Sequence, residues 1–229
     1  MAIVKKYRAV VVSVNNTIEG VYTVEFRSLD KPFRYEPGQF LHLALDAFDH
    51  AGQWPDSRCF SMQSSPDEEH IRITYGIKGS FTKQMEAELK PGCEVTLKMP
   101  YGNLLTQHHA KTNNVFIAGG TGITPFLSLF THFSFKQYES PVLYVGFRTK
   151  QMNLYAKELS KAKEINPDFE CYTIFEDTKG RLSIQDILAQ CGVEATFFIS
   201  GPPLMIKSFK EFLLDRGIKS ENVLIDDWE

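Results

Sequence analysis

The sequence predicts a two-domain β plus α/β chain: an antiparallel β half, barrel or sandwich, followed by a doubly wound half whose parallel sheet is covered on both faces. Three observations predict it. Short β-branched and aromatic runs crowd the first half, separated by turn residues. After the polar connector Gln107-His108-His109-Ala110-Lys111-Thr112-Asn113-Asn114, apolar strands alternate with helical patterns, as in βαβ units. The first strand of that second half breaks into glycines and a proline, Val115-Phe116-Ile117-Ala118-Gly119-Gly120-Thr121-Gly122-Ile123-Thr124-Pro125, which reads as strand, tight turn and helix start.

In the first half the strands are expected at Tyr7–Val14, Val21–Ser28, Phe40–Leu45, Arg58–Met62, Ile71–Tyr75 and Glu94–Met99. Asn15-Asn16, Pro37-Gly38, Ser64-Ser65-Pro66-Asp67, Pro91-Gly92 and Tyr101-Gly102-Asn103 supply the turns, and one helix is expected over Phe81–Leu89. In the second half strands are expected at Val115–Ala118, Val142–Gly146, Phe169–Phe175, Thr196–Ser200 and Val223–Ile225, with helices over Pro125–Phe133, Leu154–Ala162, Ile184–Ala189 and Pro202–Arg216. The change of pattern puts the domain boundary near His109, giving residues 1–108 and 109–229.

Composition narrows the function. A net charge of −3, with no basic blocks or basic-aromatic clusters, gives no electrostatic reason to expect nucleic acid or an anionic membrane as partner. The amino-terminal residues Met1 to Tyr7 lack an apolar signal core, and no stretch stays apolar long enough for a membrane helix, so a cytoplasmic location is expected. Cys59, Cys93, Cys171 and Cys191 are widely spaced without a C-x-x-C pair, so no metal site is signalled and mostly buried, reduced thiols are expected.

Four stretches carry chemistry. The glycine turn after Ala118 brings backbone amides, and the helix start behind them, to an oxyanion. In Arg58-Cys59-Phe60-Ser61, residues 58 and 60 share a strand face, so a guanidinium and an aromatic ring clamp a flat anionic cofactor, with the Ser61 hydroxyl beside them. An edge-strand arginine beside a core phenylalanine would look the same. Lys78-Gly79-Ser80-Phe81-Thr82 offers a second anion site at a helix start, or a plain N-cap. Phe197-Phe198-Ile199-Ser200-Gly201-Pro202-Pro203 ends a buried strand in a Gly-Pro turn, placing Ser200 beside whatever Gly120 and Gly122 bind.

The order and spacing of these stretches resemble the ferredoxin–NADP reductase superfamily across nearly the whole chain. Arg58-Cys59-Phe60-Ser61 is similar to its flavin motif R-x-[YF]-[ST], Gly79-Ser80-Phe81-Thr82 to its flavin-phosphate motif, and Gly119 to Pro125 to its pyridine-nucleotide loop. Gly146-Phe147-Arg148 resembles its G-x-R, Ser200-Gly201-Pro202-Pro203 its C-G-P-P, and Asp226-Asp227-Trp228 its acidic-x-aromatic ending. The resemblance implies a flavin-binding β-barrel and a nucleotide domain that passes hydride from NADPH or NADH to FAD, less so FMN. Arg58 is then the pyrophosphate ligand, Phe60 the stacking ring and Ser61 the partner of flavin N5. Gly79, Ser80 and Thr82 hold flavin phosphate; Gly120, Thr121, Gly122, Thr124, Pro125, Arg148, Gly201 and Pro202 line the nucleotide cleft. Ser200 stands by the nicotinamide, Trp228 covers the flavin face opposite Phe60, and Asp226 tunes protonation there. Arg148, Lys150 and Arg181 would favour the 2′-phosphate of NADPH. Three departures stand out: phenylalanine for the common tyrosine at position 60, serine for the usual cysteine at position 200, and no cysteine cluster for a fused 2Fe-2S centre. A separate acceptor is therefore expected: ferredoxin, flavodoxin or an oxygenase partner. The alternatives are a reductase that uses free flavin as substrate, and a flavin- and nucleotide-binding subunit without turnover.

Overall fold

The computed structural model describes residues 3–47 and 53–226. Six strands form the first sheet: β1 (Lys5–Ile18), β2 (Val21–Ser28), β3 (Phe40–Ala44), β4 (Arg58–Ser61), β5 (Ile71–Gly76) and β6 (Glu94–Tyr101). They run in the order β4-β3-β6-β1-β2-β5, every neighbouring pair antiparallel. The Gln63 amide, just past β4, donates to the Arg72 carbonyl of β5 at 2.7 Å, so the two edges meet and the sheet is a nearly closed barrel. Alternation fills it: Tyr7, Ala9 and Val11 point inward with Val24, Phe26, Leu41, Leu43, Ile71, Ile73 and Leu97, while Lys6 and Arg8 face out. Helix α1 (Ser80–Glu88) buries Phe81 and Met85 in the same cluster.

The second sheet is five-stranded and parallel: β7 (Asn114–Gly119), β8 (Val142–Phe147), β9 (Glu170–Phe175), β10 (Thr196–Ser200) and β11 (Val223–Ile225), in the order β11-β10-β7-β8-β9. β7, β8 and β10 are nearly continuous apolar runs because both their faces are covered, whereas β9 is an edge strand with no fully buried residue. Phe116, Ala118 and Phe198 face a cluster with Phe126 and Phe130 of α2 (Thr124–Phe130) and Ala162 of α3 (Ala156–Ile165). Val115, Ile117, Phe197 and Ile199 face the opposite cluster with Ile184 and Ile187 of a helix over Ile184–Cys191, and Ile206, Phe209 and Leu213 of one over Pro203–Asp215. A single turn at Glu176–Lys179, which the sequence reading passes over as connection, comes between, so these three helices are α4 (Glu176–Lys179), α5 (Ile184–Cys191) and α6 (Pro203–Asp215). The chain steps outward from β7 to β9 on one side and to β10 and β11 on the other, so the strand order reverses at β7, the kind of position at whose carboxyl end open α/β sheets take ligands.

Several local expectations are corrected. Asn15 and Asn16 are not the first hairpin turn. Asn15 pairs with Thr23 inside β1, the Asn16 amide donates to the Ile18 and Val21 carbonyls across a bulge, and the chain turns at Gly20, whose φ of +73° suits glycine. The helix expected to reach Phe133 stops at Phe130, because the His132 ring accepts from the Ser134 amide and starts a short 3-10 turn at Phe133. None of the four cysteines is fully buried, and Cys171 is exposed because β9 is an edge strand. Among the described residues no helix is long and apolar enough to cross a membrane.

Candidate flavin and nucleotide site

Arg58 opens β4 and Ser61 closes it. The Arg58 guanidinium lies over the Phe81 ring at 5.0 Å, which carries it to the first turn of α1, and its Nη1 also donates to an Asp56 carboxylate oxygen and the Ser57 carbonyl. Two sequence-predicted elements, 58–61 and 79–82, are thus brought together around a guanidinium and a helix amino-terminus. Gly79 is extended, and a methyl group at its Cβ position would meet nothing within 4 Å, so the space in front of that helix end is open. The Thr82 hydroxyl is committed: it accepts from the Lys78 and Gly79 amides at 2.9 and 3.1 Å and donates to the Gly79 carbonyl. It shapes the turn and leaves anion contact to the first-turn amides and Ser80.

Ser61 is buried, yet its hydroxyl has no hydrogen-bond partner. A lone buried hydroxyl costs about 1–3 kcal/mol, so its place beside the Arg58 strand calls for a ligand. Phe60 departs from the stacking ring the sequence implies. It is 9% exposed and packed in the barrel cluster beside Tyr75 at 5.9 Å. Burial pushes up the neighbouring Cys59 thiol, holding it neutral next to His42, whose own value burial and then Lys98 press down.

On the nucleotide side, the predicted turn is a 3-10 turn over Gly120–Ile123 that runs directly into α2. Gly120 has a φ of +57°, the left-handed region that glycine enters freely. A Cβ on Gly122 would stand 2.4 Å from the Gly201 Cα, so the turns after β7 and β10 touch backbone to backbone. Thr124 spends its hydroxyl on the Thr121 carbonyl at 2.9 Å, and Pro125 sits in the first turn of α2. Gly201 and Pro202 form the facing wall, with Pro202 against Gly119. The Ser200 hydroxyl donates to an Asp226 carboxylate oxygen at 2.9 Å, both residues buried, and the Asp226 amide donates to the Ile199 carbonyl. Ser200 and Asp226 are therefore one unit. Trp228 and Asp227 lie outside the described residues. Arg148 is exposed after β8, and Arg181 is exposed and paired with Glu176 at 2.7 Å.

A polar seam between the halves escaped the sequence reading. Ser128 of α2 donates to the Ser64 carbonyl at 2.8 Å, Gln63 donates to Glu158 of α3 at 3.1 Å, and Arg72 of β5 approaches the same carboxylate at 3.5 Å. His132 Nε2 lies 3.3 Å from an Asp67 carboxylate oxygen, and its Nδ1 accepts from the Ser134 amide. Burial outweighs Asp67 and keeps that ring neutral. The one local signal was Ser128, a serine in the wholly buried helix Thr-Pro-Phe-Leu-Ser-Leu-Phe.

The oxidoreductase NAD-binding domain family matches residues 116–211. Flavohemoprotein A of Dictyostelium discoideum is 25% identical over 204 residues, 82% of this chain and 51% of that one. The ferredoxin–NAD(P)(+) reductase component of the naphthalene 1,2-dioxygenase system of Pseudomonas putida is 26% identical over 234 residues, 96% of this chain and 68% of that one. The chain thus spans about half to two thirds of the length of these relatives. Among solved structures, a ferredoxin NADP+ reductase from Neisseria gonorrhoeae with bound FAD and NADP superposes with a TM-score of 0.79 at 19% identity, covering 97% of each chain. The Amycolatopsis cytochrome P450 reductase GcoB superposes with a TM-score of 0.81 at 17% identity, covering 98% of this chain and 70% of that one. An oxidoreductase NAD-binding domain over residues 116–211 is thus joined to an antiparallel barrel, and the chain shares the two-domain fold of these structures.

Proposed function

We propose that this protein is an FAD-dependent NAD(P)H oxidoreductase serving a separate electron-acceptor protein. The observation that carries this reading is the Ser61 hydroxyl, buried and without a partner on the strand whose Arg58 reaches the first turn of α1. A flavin ring edge beside Ser61, with its phosphates toward Arg58 and α1, satisfies all three groups. When bound, flavin supplies acceptance of a hydride and release of single electrons.

The chain's own residues divide the remaining work. Arg58 binds pyrophosphate by charge-assisted hydrogen bonds, and the first-turn amides of α1, with Gly79 and Ser80, bind phosphate while Thr82 holds the turn. Ser61 fixes the ring edge at N5. Gly120, Thr121, Gly122, Pro125, Gly201 and Pro202 bind the dinucleotide through backbone shape, with Thr124 bracing the turn. Asp226 holds the Ser200 proton at its carboxylate, which orients the Ser200 oxygen for the nicotinamide. The terminal aromatic Trp228 is assigned the flavin face that the nicotinamide must take. Arg148 and Lys150, both exposed, favour NADPH over NADH. The dioxygenase reductase component among the relatives supports a ferredoxin or oxygenase component as acceptor, with flavodoxin as another.

Anaerobic mixing with NADPH and with NADH tests the reading. The yellow flavin is expected to bleach, more efficiently with NADPH, and the flavin released on denaturation to be FAD. A protein that stays oxidised with both nucleotides is not this enzyme. The enclosed Phe60 ring favours a second reading, a reductase that binds flavin loosely as a substrate, because a small stacking face lowers affinity. Loss of flavin on gel filtration, with turnover restored by added flavin, selects that reading.

A further inference from the structure

Hydride transfer demands that groups carried by different halves of the chain be positioned to within a fraction of an ångström of the reactive geometry. Segment 62–72, which runs from the Ser61 end of β4 into β5, supplies barrel-side contacts for that meeting. Its Ser64 carbonyl accepts from Ser128 of α2, the helix that continues the nucleotide turn, and also from the buried Tyr35 phenol at 3.1 Å. Its Gln63 side chain is held at both ends: its amide donates to Glu158 and its carbonyl accepts from Thr74 at 2.6 Å. The nucleotide turn itself packs against β5.

Arg72 is the unusual member. Its guanidinium meets three carboxylates, Glu25 at 3.1 Å and Glu68 at 3.0 Å within the barrel and Glu158 at 3.5 Å from α3. Burial pushes the Glu25 carboxyl up, but the hydrogen bonds from Arg72 and Ser13 and the Arg72 charge outweigh it and hold the group below its ordinary value. Two barrel carboxylates already satisfy one guanidinium, so neutralising Arg72 does not require the third. What Glu158 adds is a link: one partly buried carboxylate that grips Gln63 and Arg72 together, three residues into the chain from the buried Tyr155 at the start of α3.

We infer that Glu158 is a positioning residue for hydride transfer, tying α3 and the nucleotide turn to the flavin-binding strand through Gln63 and Arg72. The inference rests on the proposed oxidoreductase reading. The geometry separates positioning from bulk stability, because Glu25 bonds the same guanidinium without crossing between the halves. Glu25→Gln perturbs Arg72 inside the barrel; Glu158→Ala cuts the crossing tie; Glu158→Gln keeps the acceptor for Gln63 while removing the charge facing Arg72.

The test is stopped-flow reduction of the flavin-loaded protein, with flavin content and nucleotide affinity measured on each variant. Glu158→Ala is expected to retain flavin and nucleotide affinity but to lose roughly ten- to a hundredfold in the hydride-transfer rate, as a misplacement near 1 Å would. The long-wavelength charge-transfer absorbance of its nucleotide complex should fall in parallel, and Glu158→Gln should lie between it and the parent. Glu25→Gln should reduce at the parental rate. A parental rate and absorbance in Glu158→Ala overturn the inference, as does an equal loss in Glu25→Gln, which would make the network merely structural. A parent that is not reduced at all overturns the functional reading as well, and that failure shows before any variant is compared.

Discussion

The two sides of the site are built on opposite plans. On the barrel side two features stand open although Thr82 is committed to its turn and Arg58 is paired with Asp56: the Ser61 hydroxyl lacks a partner, and a Cβ at Gly79 would meet nothing. On the nucleotide side two of the hydroxyls named by the sequence are already spent, Thr124 on the Thr121 carbonyl and Ser200 on Asp226, and two glycine turns are pressed together backbone to backbone. One side recognises by chemistry that a ligand completes, the other by a shape that exists beforehand. Substitutions on the first should therefore cost ligand and spare the fold, and on the second cost the fold first.

The sharpest break is Gly122→Ala. Its methyl group would sit 2.4 Å from one backbone atom of Gly201 and 2.6 Å from another, so neither turn can yield cheaply. Overpacking of this kind costs about 3 kcal/mol, and thermal unfolding should show a Tm lower by about 6–12 °C. A parental Tm would mean the two turns are not locked together. Arg58→Ala is the matching change on the barrel side. Losing a charge-assisted phosphate contact of about 1.5–3 kcal/mol should weaken flavin binding more than tenfold while the flavin-free protein melts as the parent does. Equal flavin content in both proteins would remove Arg58 from the site.

A smaller contrast uses two serines. Ser200→Ala removes one donor from the buried Asp226 carboxylate and should destabilise by about 1–3 kcal/mol, whereas Ser61→Ala deletes a hydroxyl that bonds nothing and should leave stability unchanged or slightly higher. Ser61→Ala should nonetheless slow flavin reduction. Chemical denaturation of both variants checks the first statement, and a destabilised Ser61→Ala would show that its hydroxyl has a protein partner. The smallest effect is one of pH. His42, His109 and His132 are all held below their ordinary value of 6.5, first by burial. The unfolded chain therefore takes up more protons in acid, so their contribution is present above pH 6.5 and is lost as pH falls below it. Tm measured from pH 7.5 down to 5 should decline, and a flat profile would show these rings to be freely solvated.

Much of this was legible in the sequence because it depends on local periodicity. Period-two alternation marked the barrel strands, apolar runs marked the parallel ones, and Arg58, Ser61, the glycine turn and Ser200 stood in motifs whose spacing survives any packing. At Asn15 composition suggests a turn, but a bulge and a side-chain amide bond keep the chain extended. Trp228 lies outside the described residues.

By itself the sequence determined which residues could meet a phosphate, a ring or a nicotinamide, since residue type and short spacing are written in it and local backbone preference follows from them. Only the tertiary structure decided which of those groups remain available. Phe60 is buried in the barrel cluster, Thr82 and Thr124 give their hydroxyls to neighbouring backbone, Arg181 pairs with Glu176, and Glu158 acquires partners 86 and 95 residues away. The physical reason is that a hydrogen-bonding or charged group has a limited number of partners, and which ones it receives depends on three-dimensional neighbours that no local pattern encodes.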